Sequence, residues 1–213
     1  MRKIVLFAFA AMSMVAMAQR VSPVTIELAE VNIDSLRTLY MAEPTMWRAA
    51  LDVAAQQFAK NAEDLKTARA EFKTEQKHAG EMEKSLKGAS KMAANLSKLY
   101  EKEEAELKAM QKTIEGQQKT LNKQRDLNQE SREAYLAFLE KQQKELGYSI
   151  REVAERQRGI TEMETAIQNE QTNLQSYVHQ VQQKGLELDK LEAELKTRTE
   201  ALKADQKTAK TMK

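Results

Sequence analysis

His78 and His179 are the only imidazoles in the chain, and they are its first candidates for chemistry. Folding the chain about residue 130 would bring them within about one helical turn of the same level, with Glu75 and Glu81 near His78. A metal site is the sharpest chemistry such an arrangement offers. A structural or catalytic metal, however, needs three or four converging ligands. Each histidine instead flanks an apolar row on an outward position, so no metal site is expected. There is no cysteine, and no Gly-rich phosphate loop, nucleophile elbow or zinc-ligand spacing occurs. The many Glu and Lys residues read as solvated helix faces with i,i+4 pairs. The sequence therefore nominates no catalytic, cofactor-binding or metal-binding residue. The expectation is a chain that is not an enzyme and carries no cofactor, because a slim coiled coil has little room for a concave pocket.

The elements carrying these residues are read from a seven-residue repeat. One apolar row runs Leu51, Phe58, Leu65, Phe72, Ala79, Leu86, Ala93, Tyr100, Leu107, Ile114, Leu121. A second runs Leu139, Leu146, Val153, Ile160, Ile167, Leu174, Val181, Leu188, Leu195, Leu202, Ala209. A heptad held this long specifies helices winding around a partner in a left-handed coiled coil. Two prolines, six glycines and 31% charged residues suit long helices. The rows are offset by two heptads plus four residues. That is a stutter, which a continuous helix can absorb, so phase alone does not force a turn. Three other features predict one. The rows are equally long and symmetric about residue 130. Asp126, Asn128, Gln129, Glu130 and Ser131 crowd the centre with polar groups. Ser131 can cap a new helix whose first turn carries Glu133, while Asn128 can take the left-handed conformation that ends the old one.

The expected fold is thus all-α, a long antiparallel coiled-coil hairpin with a short N-terminal segment, extended rather than globular. Its parts are a first arm at 51–127, a tip at 128–131, and a second arm at 132–213 with a polar, basic tail. A second row, three residues after the first, is soft: Asn61, Glu75, Glu103, Gln117 and Gln124 interrupt it in the first arm, and Gln142, Ser149, Arg156, Glu170, Lys184 and Arg198 in the second. One firm stripe per arm is a thin core against roughly 1.5 kcal/mol of entropy for each ordered residue, so self-association is expected. The six glycines miss the firm rows and read as surface drift or points of bending.

Residues 19–50 differ. Val24, Ile26 and Leu28 alternate like a strand, while Ile26, Ile33, Leu36 and Tyr40 also fit a helix face. Asp34 is placed to cap a short helix over Ser35–Ala42, and Pro44 suits the first turn of the arm. Trp47, with Tyr40, Met41 and Met46, forms an apolar knot. It is expected to be either a docking patch or the place where the segment folds back on the arms.

Arg2 and Lys3, the apolar run Ile4–Ala18 and the small residues Ala16 and Ala18 read as a secretory signal peptide at 1–18. The run is shorter than the ~20 residues of a spanning helix, so no membrane span is expected after cleavage. Removing Arg2 and Lys3 from 34 basic residues leaves 32 against 32 acidic ones, a balance that gives no reason to expect nucleic acid. An exported chain without disulfides must be held by packing and assembly.

An exported, cysteine-free chain with long helical arms resembles, in general design, the Skp/OmpH family of periplasmic chaperones. The likeness covers the signal peptide and the arms. That family adds a β-rich trimerising body and strong basicity, which the short N-terminal segment and balanced charge here do not match. The design is also similar to the hairpins of efflux and cell-wall-hydrolase adaptors, without their added domains. The functional expectation is an exported periplasmic or envelope scaffold, spacer or assembly factor, homo-oligomeric and acting on an envelope protein. A holdase chaperone is the alternative.

Overall fold

Two firm rows of eleven demand two helices that share one seam, and the computed structural model of the chain shows them. It describes residues 21–40, 42–124 and 128–212. Helix α1 spans Ile33–Tyr40, α2 spans Pro44–Lys123 and α3 spans Gln129–Thr211. No strand occurs among the described residues. The long helices pack against each other as a helical hairpin. Every residue of the second firm row is buried, as are Leu51, Phe58, Leu65, Ala79, Leu86, Ala93, Ile114 and Leu121 of the first.

The contacts divide into two compact units. A tip unit holds Lys84–Thr172, and a base unit holds the described residues up to Glu83 together with those from Asn173 onward. In the tip unit, Ile114, Leu121, Leu139 and Leu146 form one cluster, and Ala93, Met163 and Ile167 another. In the base unit, Trp47, Leu51, Phe58 and Leu65 pack with Leu188, Leu195 and Leu202. In each unit facing residues are symmetric about residue 130, which makes the pairing antiparallel.

The turn lies slightly earlier than the sequence suggested. α2 ends at Lys123, and Gln129–Ser131, expected in the tip, form the first turn of α3. Asn128 is the N-cap: its Oδ1 accepts the Ser131 N–H at 2.8 Å, and its carbonyl accepts the Arg132 N–H at 3.1 Å. Ser131 is therefore inside the helix and is not its cap. No described non-glycine residue has a positive φ, so Asn128 does not adopt the left-handed conformation. Asp126 lies outside the described residues.

The N-terminal segment folds back on the base unit. Val24, Ile26, Leu28, Val31, Leu36 and Tyr40 pack on the base cluster. Residues 21–32 form neither strand nor helix, because their backbone is held by side chains. Asn61 Oδ1 accepts the Ala29 N–H at 3.0 Å, and Asn61 Nδ2 donates to the Glu27 carbonyl at 3.0 Å. This two-way amide contact satisfies an extended backbone much as a neighbouring strand would. Arg198 Nη1 adds a 2.5 Å bond to the Ala29 carbonyl.

The cap of α1 is Asn32, whose Oδ1 accepts the Ser35 N–H at 3.0 Å. Asp34 instead pairs with Arg37 at 3.2 Å, and the helix closes at Tyr40, two residues before the expected end. Pro44 opens α2 as expected. Trp47 is fully buried, while Met46 is 52% exposed and takes no part in that core. Met41 lies outside the described residues.

Candidate functional site

The soft row organises what the structure offers. Two of its charged members, Glu75 and Glu103, meet Lys184 and Arg156 of the other arm. In the base unit Lys184 Nζ lies 2.9 Å from Glu75 Oε2 and 3.0 Å from Oε1, with only 4% of the Lys184 side chain exposed. In the tip unit Arg156 lies 3.7 Å from Glu103 and 2.5 Å from Glu152, with its guanidinium 5.8 Å from the Tyr100 ring. Asp205, 3% exposed, accepts two bonds from Arg37 of α1. Asn61 and Arg198 hold the backbone of residues 27–29. These residues, weak points when each arm is read separately, are satisfied once the arms face each other and the N-terminal segment lies against them.

Such pairs contribute more to register than to affinity. Sliding one arm by a heptad still sets firm-row residues opposite one another at all but the last level. It would set the buried Lys184 ammonium opposite Met82 or Ala68, an uncompensated charge.

The two histidines do not form a site. His78 packs edge-on against Tyr177, with ring centroids 6.2 Å apart, and His179 is exposed. Glu75 is engaged by Lys184, and Glu81 by Lys77 at 3.7 Å. Among the described residues no three His, Asp or Glu side chains converge as metal ligands. Burial, and secondarily the charge of Glu75, pushes the Tyr177 hydroxyl above its usual pKa. Bonds from Lys108 and then Gln157 hold Glu104 below the usual carboxylate range. Glu192, and next Asp189, raise Arg69 above its usual value. Glu104 with Lys108, and Arg69 with Glu192 and Asp189, are ion pairs.

The tip unit does carry a concave feature, which the sequence reading missed. A groove of about 850 Å³ runs between α2 and α3. Its apolar lining is Leu96, Leu99, Tyr100, Ile160 and Met163, and Gly159 forms a dent in one wall. Leu99 is 56% exposed. Glu103, Glu106, Glu152 and Glu155 line the same groove with Lys102 and Arg156. A second, more open depression shares Glu106 and adds Met110, Gln117, Gln142 and Glu145. The sequence signal was present: Leu96, Met110 and Met163 are apolar soft-row residues, and Leu99 is a large apolar residue off both rows.

Among the described residues, no helix is long and apolar enough to cross a membrane. Compared with protein-family models, curated proteins and solved structures, the chain matches none.

Proposed function

We propose that this chain is a non-enzymatic, exported scaffold or assembly factor of the bacterial cell envelope, working through its helical surfaces. The observation that carries this reading is the tip-unit groove. It leaves Leu99 uncovered, whereas Arg156 and Lys102 beside it are already paired with Glu103, Glu152 and Glu106. An apolar groove whose cations are taken up in ion pairs is suited to binding a partner through apolar contact. Export rests on the basic, apolar and small-residue start of the sequence. A periplasmic or envelope location follows from it.

The test is photocrosslinking in cells from positions 99 and 110, followed by identification of the adducts. One or a few folded envelope proteins are expected, together with a mature N-terminus at Gln19. A product still beginning at Met1 would overturn the export element. Adducts spread over many unfolded outer-membrane proteins, with stoichiometric suppression of their aggregation in vitro, would replace the scaffold with a holdase.

A further inference from the structure

In the base unit the soft-row residues Asn61, Arg198 and Asp205 are covered by the chain itself. The segment 21–40 lies over them, bonded to Asn61, Arg198 and Asp205. In the tip unit, residues at the same heptad positions line an open groove. We propose that this groove is the docking site for a single amphipathic helix of another protein, apolar on one face and flanked by Lys or Arg. The proposal rests on the scaffold function given above and names the chemistry of its partner.

Two observations select this occupant. The first is hydrogen bonding. The base unit holds an extended segment because Asn61 and Arg198 present amide and guanidinium groups to its backbone. In the groove, Arg156 is already engaged by Glu103 and Glu152, and Lys102 lies 3.8 Å from Glu106. An extended guest would bury backbone groups with few partners there. A helix brings its backbone already satisfied and needs only apolar contact. The second is charge. Four carboxylates line the groove against two cations, and Glu155 has no bonding partner among the described residues. Glu145 extends the negative rim in the adjoining depression. A second copy docking groove to groove would bring two negative rims together, whereas Lys or Arg flanking an apolar stripe would neutralise them. The lining spans Leu96 to Glu106 on α2, about 15 Å along the axis, or about three turns of the guest.

Gly159 supplies a clean test. A Cβ built there meets nothing within 4 Å, so the side chain of Gly159→Leu starts from open space and is aimed at filling the groove, with helical circular dichroism as the check that the long helices stay paired. Fluorescence anisotropy would follow binding of three labelled 14-residue peptides to the full mature chain. One carries a Leu stripe flanked by Lys, one the same stripe flanked by Glu, and one the Lys composition scrambled to lose the stripe. The Lys peptide is expected to bind at least tenfold more tightly than either of the others and to weaken with added salt. Gly159→Leu and Leu99→Asp should each weaken it at least tenfold, with helical circular dichroism unchanged.

Equal binding of the Lys and Glu peptides would overturn the proposal, as would binding unaffected by Gly159→Leu. So would Gly159→Leu converting an oligomer to a monomer, since the occupant would then be a second copy. If Gly159→Leu abolishes peptide binding but leaves the cellular crosslinks from position 110 intact, the groove is not the partner site and the scaffold reading stands. If no crosslinks form with wild type either, the scaffold reading itself fails.

Discussion

Glycine 185 behaves unlike the other five glycines. It is buried, and a Cβ there would lie 2.8 Å from the Phe72 ring, whereas one at Gly80, Gly88, Gly116, Gly147 or Gly159 meets open space. The phenyl ring occupies the volume a side chain would need. Gly80→Ala should therefore stabilise the chain by about 1 kcal/mol through helix propensity alone. Gly185→Ala should destabilise it by roughly 1 kcal/mol, because overpacking outweighs the same propensity gain. Urea midpoints would separate the two, and equal shifts would contradict the role given to Phe72. Tyr177 makes the second prediction at this scale. Its proton is held more tightly in the folded chain, so its contribution is complete below the ordinary tyrosine pKa of 10.0 and is lost as pH rises through the raised value. From pH 10.0 up to the raised value, stability should fall more steeply in wild type than in Tyr177→Phe, as measured by thermal melts across the alkaline range. The position of Tyr177 in the soft row was readable from the sequence. The ring of Phe72 against Gly185 was not, because a heptad count carries no information on where a side chain's far end lies.

Between helices, the deciding feature is the buried Glu75–Lys184 pair. Lys184→Met alone leaves the Glu75 carboxylate, itself mostly buried, without its cation and should cost roughly 3–5 kcal/mol. Adding Glu75→Leu should recover most of that loss, while cysteine crosslinks across the seam should then report more than one heptad register. A double variant as unstable as the single one would show that the pair contributes affinity rather than register. Both firm rows, the antiparallel pairing and the helix start at Pro44 were legible at this scale, because a periodic apolar pattern is a sum over many residues. The caps were not. Asn128 and Ser131 are both good N-cap residues, as are Asn32 and Asp34. Only the geometry of the turn decides between neighbours of equal propensity. The strand-like alternation of residues 24–28 failed for a related reason: the partner of that backbone is the Asn61 amide, far away in sequence, and not another strand.

For the molecule as a whole, the open question is which surfaces remain available for assembly. The base unit exposes Leu39 at 70%, Val53 at 55% and Leu186 at 56%. Apolar area of this kind next to a thin core favours self-association. We predict that the mature protein is at least a dimer, and that Leu39→Glu combined with Val53→Glu shifts it toward monomer. Light scattering would check this: a wild-type mass no greater than the 24.3 kDa of one full chain would refute it.

The paired ion layers also constrain how such a chain can change over evolutionary time. Gaining or losing a heptad in one arm still lets the apolar rows face each other along most of their length yet moves Lys184 off Glu75 or Arg156 off Glu103. The arms are therefore bound to lengthen or shorten together, by mirrored insertions on the two sides of the turn. Removing Leu86–Met92 alone should leave a poorly folded chain, whereas removing Gln168–Leu174 as well should restore cooperative melting. Relatives of this protein, whatever their length, should differ from it by an even number of heptads.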